Sequence, residues 1–308
     1  MIRVVFWGTP DIGVKSLEYL YNSEKFEVVA VVTQPDRPSG RGHKIIASPI
    51  KQFAEEKNIQ VFQPKSIRKE PEMQAQIKSL NADFFVTFAF GQILPQEILD
   101  MPKYETINLH ASLLPKYRGA NPIQRCIING DKQTGICTMI TELGLDCGDI
   151  CIQYPIEISE TMNCEELWET IADKSPELIE KTLLGLVSGE IVPVKQCEEG
   201  VCFANKLTPD EFKIDWTKSA REIHNLVRGI YKSPSATFVY NDKLIKVLET
   251  CVIEEHSSCP AGDIICCNKQ GVDFATGNGV LRVIKVKPES KGEMFARDWY
   301  NGLGVKKK

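Results

Sequence analysis

The chain has 308 residues, of which 43% are hydrophobic and 25% are charged, and its formal net charge is −4. This length suggests two domains of ordinary size, and the composition excludes collagen-like, coiled-coil and intrinsically disordered proteins. No apolar run approaches the roughly 20 residues that a membrane-spanning helix needs. The residues after Met1 enter a strand-like pattern without the features of a signal peptide. We therefore expect a cytoplasmic protein with no membrane partner.

The eleven cysteines are scattered among apolar residues, and no Cys-x-x-Cys pair occurs among them. Only four histidines are available as further ligands. Because structural zinc sites usually combine paired ligands at short spacing, we expect no metal site. Reduced and mostly buried thiols are the expected state.

Charge is distributed unevenly along the chain. Residues 1–205 carry a net charge of −8 and residues 206–308 a net charge of +4, and the chain ends with three lysines at 306–308. A basic half of this kind can face a polyanion such as nucleic acid. The alternative is a solvated basic surface with a frayed tail, and charge counts alone leave both open.

The first half of the chain alternates apolar strands with helices, and a long polar loop lies at 34–48. This alternation predicts a Rossmann-like, mostly parallel α/β sheet with helices on both faces. Ligands of such sheets bind beyond the carboxyl ends of the strands. The predicted strands are 3–8, 26–33, 60–62, 83–90, 106–110, 135–142 and 149–158, and the predicted helices are 11–22, 49–57, 69–80, 122–129 and 163–188.

The second half contains one helix and several short β-branched runs separated by turns, which is typical of a small OB-like antiparallel β-barrel. We therefore expect a first domain at 1–189, a linker at 190–207 and a C-terminal barrel at 208–308. The predicted helix is 218–230, and the predicted strands are 237–240, 244–253, 263–267, 272–275 and 279–286.

The strand at 106–110 ends in Asn108-Leu-His110, and side chains two apart on a strand point to the same face. The amide of Asn108 can donate to a developing oxyanion, and the imidazole of His110 can transfer protons near neutral pH. The structural alternatives are a turn-forming asparagine and a core histidine.

Asp146 lies in a loop between two predicted strands, and Gly144 and Gly148 allow that loop to be tight. A carboxylate held there could orient a histidine or stabilise its protonated form. The alternative is an acid that only caps its own loop.

The loop 33–44 interleaves four cationic or titratable residues with proline and glycine: Arg37, Arg41, His43 and Lys44. Such a loop can shape itself around phosphates. The alternative is an ordinary surface loop, but long loops inside compact domains are usually functional.

The segment Gly8–Gly13 lies where a dinucleotide fingerprint would occur, between a strand and a helix. It lacks the middle glycine, and Pro10 removes a backbone donor. The sequence therefore argues against binding of NAD or FAD.

Taken together, these segments resemble the methionyl-tRNA formyltransferase family, and the resemblance runs through nearly the whole chain. The matching motifs occur in the family's order and spacing at 6–11, 33–42, 89–95, 108–120, 144–149 and 214–216. The chain departs from the family at Cys147, where threonine is usual, and at 231–237, which lacks the family's tryptophan.

The resemblance implies 10-formyltetrahydrofolate as donor and the methionine amine of charged initiator tRNA as acceptor, for translation initiation, with no metal. It implies that Asn108 and His110 hold the formyl carbonyl and the tetrahedral intermediate, and that Asp146 supports His110. The implied folate-binding residues are Phe90, Gly91, Ile93, Leu94, Ser112, Leu113, Leu114 and Pro115. The implied tRNA-binding residues are Arg37, Arg41, His43, Lys44 and Lys206. We expect a monomer.

The sequence leaves three alternatives open. A formyltransferase for a small amine, such as a nucleotide sugar or glycinamide ribonucleotide, would keep Asn108, His110 and Asp146 but would not need the 33–44 loop or a basic second domain. A non-catalytic tRNA-binding protein would not need these three residues. Hydrolysis of the formyl donor by water would use them in a more open site.

Overall fold

The computed structural model describes residues 1–39, 44–253 and 256–303. The chain forms two compact units, and each is discontinuous in sequence. The first unit comprises residues 1–119, 133–157 and 168–204, and the second comprises 120–132, 158–167 and the chain from 205 onward. Within the described residues, no helix is long and apolar enough to cross a bilayer.

Within the residues that the structure describes, the first unit contains eleven strands. They are β1 (Ile2–Gly8), β2 (Phe26–Val32), β3 (Arg37–Ser39), β4 (Lys44–Ile46), β5 (Val61–Phe62), β6 (Phe84–Phe88), β7 (Glu105–His110), β8 (Arg118–Gly119), β9 (Gln133–Ile140), β10 (Ile150–Glu157) and β11 (Phe203–Ala204). The second unit adds β12 (Ala236–Tyr240), β13 (Lys243–Ile253), β14 (Ile264–Asn268), β15 (Gly271–Ala275), β16 (Val280–Pro288) and β17 (Met294–Phe295).

The described part of the chain also contains eight α-helices. They are α1 (Val14–Asn22), α2 (Pro49–Glu56), α3 (Pro71–Ser79), α4 (Gln96–Leu99), α5 (Pro122–Ile128), α6 (Cys164–Ser188), α7 (Ala220–Gly229) and α8 (Ala296–Asn301). Short 3-10 turns lie at Asp11–Gly13, Ile67–Lys69 and Pro209–Phe212.

Seven strands of the first unit form one sheet in the order β10-β9-β7-β6-β1-β2-β5. The neighbours from β7 to β5 are parallel, whereas β9 is antiparallel to both β7 and β10. Successive residues of β1, from Val4 to Trp7, are all fully buried. Since their side chains alternate faces, both faces of the sheet are covered, and the predicted mostly parallel α/β fold is confirmed.

The region predicted as a loop at 34–48 contains a small antiparallel hairpin, β3–β4. The base of this hairpin is fastened to the first unit, because Asp36 accepts hydrogen bonds from Lys51 Nζ at 2.6 Å and from Gln63 Nε2 at 2.7 Å. The bond from the Lys51 ammonium lowers the pKa of the Asp36 carboxyl below its usual value. Arg41 and His43 lie outside the described residues.

The second unit is built on an antiparallel sheet in the order β12-β13-β16-β15-β14, with β17 paired to β16. The predicted antiparallel C-terminal fold is confirmed. Its strands hydrogen-bond to one another in a linear order that runs from β12 to β14. The long strand β13 shifts register against β16 around Glu249, which bends it. Phe238, Phe274 and Trp299 pack in its core.

Helix α5 belongs to the second unit, where it packs on α7. A Cβ atom on Gly229 of α7 would lie 2.6 Å from Ile128, so glycine is needed for this close approach. Arg125 of α5 pairs with Glu211, and this contact lowers the pKa of the Glu211 carboxyl to about 2. Helix α7 begins with a capping box made by Ser219 and Glu222.

Candidate active site

Asn108 and His110 project from the carboxyl-terminal end of β7, as the strand alternation predicts. His110 is buried, with 6% of its surface exposed, whereas Asn108 is half-buried. An amide with access to solvent and a shielded imidazole therefore lie side by side, two residues apart on one strand.

The amide of Asn108 is oriented by the neighbouring strand. The hydroxyl of Thr87 on β6 donates to Asn108 Oδ1 at 2.7 Å, and the two residues are register partners in the sheet. Because this bond engages the amide oxygen, the amide nitrogen Nδ2 points the other way with two donors. The sheet thus presets two N–H groups for an incoming acceptor.

The tautomer of His110 follows from its partner. Nε2 lies 2.9 Å from the carbonyl oxygen of Tyr117, and a carbonyl can only accept, so Nε2 carries a hydrogen and donates it. Nδ1 is then the ring nitrogen that can gain or lose a proton while this bond is kept.

Asp146 reaches His110 through a loop that folds back over the sheet. The antiparallel register pairs Ile140, the last residue of β9, with Ile107, three positions before His110. The Asp146 carboxylate nevertheless lies 3.6 Å from His110 Nδ1. The sequence pattern predicted a tight loop at this place. Because β9 runs antiparallel to β7, the loop starts beside the beginning of β7 and must fold back to reach His110.

A backbone donor also holds the carboxylate of Asp146. The N–H of Gly119 donates to Oδ2 at 2.8 Å, and Oδ2 is also the atom that faces His110. The backbone of Asp146 is left-handed, with a φ of 47°, which aspartate tolerates better than most residues. A separation of 3.6 Å is too long for a hydrogen bond, and such catalytic contacts often tighten when substrate binds.

This arrangement supports acyl chemistry on a carbonyl group. Asn108 offers N–H donors to an oxyanion, His110 offers one exchangeable ring nitrogen, and Asp146 places a negative charge next to that nitrogen. The structure therefore brings together all three residues that the sequence identified as catalytic candidates.

The predicted folate-binding residues divide into a buried group and an accessible group. Phe90, Leu94 and Leu114 are core residues with 4%, 6% and 3% of their surface exposed. Ser112 is fully buried, and its hydroxyl donates to the carbonyl of Lys116. The four that present surface are Gly91, Ile93, Leu113 and Pro115.

Of the five predicted tRNA-binding residues, Arg37 and Lys206 are exposed, the first at the start of β3 and the second in the second unit. The backbone of Lys44 begins β4. Arg41 and His43 lie outside the described residues, so the structure places only part of this set.

The described residues contain no group of three or more His, Cys, Asp or Glu side chains placed to hold a metal ion. All eleven cysteines lie within the described residues, and three of them are buried, namely Cys126, Cys137 and Cys164. The expectation of mostly buried thiols was therefore wrong, because several cysteines lie on edge strands and loops. Burial raises the pKa of the Cys137 thiol to about 12.

Comparison with known proteins identifies the family. A family model described as Formyl transferase matches residues 2–183, and one described as Formyl transferase, C-terminal domain, matches residues 206–304. The methionyl-tRNA formyltransferase of Clostridium perfringens strain 13 is 44% identical over 304 residues, which cover 99% of this chain and 98% of the relative. The chain belongs to the methionyl-tRNA formyltransferase family. It is therefore a formyltransferase enzyme.

Other relatives agree with this membership. The methionyl-tRNA formyltransferase of Clostridium novyi is 42% identical over 304 residues, with 99% of this chain and 98% of the relative covered. A solved structure of an N-formyltransferase from Helicobacter canadensis, in complex with folinic acid and dTDP-3-aminofucose, has a TM-score of 0.67 and 21% identity. It covers 92% of this chain and 99% of that chain. At this identity the likeness supports the shared fold.

Sequence reasoning missed the residues that support the three candidates: Thr87, Tyr117, Gly119 and Gln196. Thr87 acts through one hydrogen bond and Tyr117 and Gly119 act through backbone groups, whereas Gln196 acts through several hydrogen bonds of its side-chain amide. None of the four belongs to a pattern of spacing that signals chemistry. Tyr117 and Gly119 lie inside a family motif, but only the fold shows that their backbone groups face His110 and Asp146.

Proposed function

We propose that the chain transfers the formyl group of 10-formyltetrahydrofolate to the α-amine of methionine on initiator tRNA, with Asn108, His110 and Asp146 as its catalytic residues. The observation that carries the assignment of these residues is their convergence, with the Asn108 amide preset by Thr87 and His110 Nδ1 facing Asp146. The relatives named as methionyl-tRNA formyltransferases support this acceptor.

The first step is attack of the neutral methionine amine on the formyl carbon. A new C–N bond forms, the carbonyl π electrons move to oxygen, and the intermediate becomes tetrahedral. Asn108 Nδ2 stabilises the charge on that oxygen, because its donors are already aimed before the reaction begins.

The second step breaks the bond between the formyl carbon and N10 of the folate. The attacking nitrogen loses a proton and N10 gains one, so one group can serve both transfers. His110 Nδ1 is suited to this role because Nε2 stays bonded to Tyr117. Asp146 stabilises the imidazolium form while the proton is held there.

We assign the folate to the loops at 89–95 and 112–115. Gly91, Ile93, Leu113 and Pro115 provide surface for the ligand, and the φ of +86° at Gly91 is one that favours glycine. Phe90, Leu94, Ser112 and Leu114 shape these loops from below, since their side chains are buried.

We assign tRNA contacts to Arg37, Arg41, His43, Lys44 and Lys206, which supply charge for a phosphate backbone. In this proposal residues 1–189 carry the chemistry, residues 190–207 connect, and residues 208–308 bind tRNA. The enzyme works as a monomer in the cytoplasm.

An acceptor assay tests the function. Purified enzyme and 10-formyltetrahydrofolate are incubated with methionyl initiator tRNA, with a nucleotide sugar amine, with glycinamide ribonucleotide, or with no acceptor, and both formyl product and released tetrahydrofolate are measured. We expect formylated methionyl-tRNA, with binding that weakens steeply as salt rises. Preferential formylation of a small amine, equal folate release without acceptor, or no release with tRNA would each contradict the proposal.

A further inference from the structure

The region between the two family matches, residues 184–205, lies outside both. It is nonetheless tied closely to the first unit. Val194 and Ile150 exchange backbone hydrogen bonds of 2.8 and 2.9 Å, and β11 pairs in parallel with β8. The part of this region that contacts the active site, residues 196–204, is called the clamp segment below.

Gln196 is the buried centre of the clamp segment, with 6% of its surface exposed. Its Nε2 donates to the carbonyl of Asp146 at 2.9 Å and to the carbonyl of Gly148 at 2.8 Å. Both acceptors lie in the loop that carries Asp146. A single side-chain amide therefore fixes the backbone of this loop at Asp146 and at Gly148.

Arg118 fixes the orientation of that amide. Its buried guanidinium donates from Nε at 3.0 Å and from Nη2 at 2.8 Å to Gln196 Oε1. Since the guanidinium can only donate and the loop carbonyls can only accept, the side-chain amide fits in one orientation. The charge on Arg118 strengthens the two hydrogen bonds that it donates to Gln196.

The clamp segment also holds the strand that contacts both catalytic partners. Cys202 accepts hydrogen bonds from the backbone N–H groups of Tyr117, through its sulfur at 3.2 Å, and of Arg118, through its carbonyl at 3.0 Å. The carbonyl of Tyr117 in turn accepts a hydrogen bond from His110, and the N–H of Gly119 donates to the carboxylate of Asp146. One segment thus supports the histidine and the carboxylate together.

We propose that Gln196 is a positioning residue for the formyl transfer, which keeps the Asp146 carboxylate in register with His110 Nδ1. This inference rests on the proposed function of Asp146. It gives the connection between the family's two regions a part in catalysis, in addition to joining them.

Two substitutions separate the contacts of Gln196. Gln196→Met keeps the length of the side chain and removes every hydrogen bond that the side-chain amide makes. Gln196→Glu keeps an acceptor for Arg118 but sets a carboxylate oxygen against the carbonyls of Asp146 and Gly148. The matched control is Glu198→Gln, an exposed position in the same segment.

We expect both Gln196 variants to lower kcat by about tenfold to a hundredfold, because small displacements of reacting groups are costly. The KM values for donor and tRNA should change little, since Gln196 is buried and its side chain is engaged by protein groups. In an Asp146→Asn background, Gln196→Met should add less than about twofold, because a residue that acts through Asp146 has nothing left to position. Multiplication of the two effects would overturn the proposal.

Hydrogen exchange of the 141–149 peptide gives a readout that does not depend on turnover. We expect exchange to accelerate in Gln196→Met and Gln196→Glu and to stay unchanged in Glu198→Gln. Unchanged exchange in both Gln196 variants would overturn the proposal. If the wild-type enzyme formylates no methionyl-tRNA, the proposed function fails, and the exchange result alone then decides whether Gln196 holds the loop.

Discussion

Thr87 Oγ1 donates a 2.7 Å hydrogen bond to Asn108 Oδ1 across two adjacent parallel strands. The bond engages the amide oxygen and leaves Nδ2 of Asn108 as the group that the proposed mechanism directs at the formyl oxygen. A side-chain amide on a loop would have to be ordered during the reaction, whereas here the sheet has ordered it in advance.

We expect Asn108→Ala to lower kcat by about a hundredfold to a thousandfold, the loss seen when a single oxyanion donor is removed from other enzymes. Formylation of methionyl-tRNA under saturating donor would measure the effect, and a thermal melt would confirm that the fold is kept. Near-full turnover by a folded variant would remove Asn108 from the mechanism.

We expect Thr87→Val to lower kcat by about fivefold to tenfold, because a hydrogen bond of this kind contributes about 1 kcal/mol and the freed amide can rotate. Thr87→Ser keeps the hydroxyl and should recover most of the rate. If valine and serine gave the same kcat, the amide of Asn108 would not depend on this contact.

Gly148→Ala tests how closely the Asp146 loop packs. A Cβ atom at this position would lie 2.0 Å from the carbonyl oxygen of Ile140, so the loop must shift, and a displacement near 1 Å can cost about a hundredfold in rate. Gly292→Ala is the matched control, since nothing lies within 4 Å of its added Cβ. Equal kcat values for the two variants would argue against a fixed loop.

His224 predicts a dependence of stability on pH in the second unit. Its Nδ1 lies 2.8 Å from Thr250 Oγ1 and its Nε2 lies 3.1 Å from the carbonyl of Glu160. Burial lowers the pKa of His224, the cations Arg228 and Arg221 lower it further, and Glu160 opposes them. Since the unfolded chain then binds more protons, the free energy of unfolding falls as pH drops below about 6.5.

Urea unfolding of the wild type and of His224→Gln between pH 7.5 and 5.5 measures this dependence. In His224→Gln the free energy of unfolding should change much less with pH than in the wild type. In His256→Gln, at an exposed histidine, it should change with pH as in the wild type. A slope that survives unchanged in His224→Gln would assign the effect to other groups.

Periodicity and local motifs predicted most of the architecture. The strands β1, β2 and β6 are predominantly apolar and mostly buried, so their parallel sheet could be predicted from the sequence. Strand direction at the sheet's far edge could not, because β9 has the same apolar character whether it pairs parallel or antiparallel. Strand β17 and helix α8 are too short, at two and six residues, to show a period.

The same limit applies to the site. Asn108 and His110 could be found because strand alternation places them together, and Asp146 because glycines flank it. Gln196 lies in a stretch rich in polar residues, where only the three-dimensional contacts distinguish it from its exposed neighbours.

The discontinuity of the two units has a consequence for synthesis on the ribosome. The first unit is complete once residue 204 has emerged. Helix α5 is made much earlier, but its partner α7 follows only at 220–229. Because domains generally fold as units in the order of synthesis, the apolar face of α5 must wait without its partner while about ninety residues are translated. A fragment starting at residue 205 would lack this helix altogether and should be prone to aggregation when expressed alone.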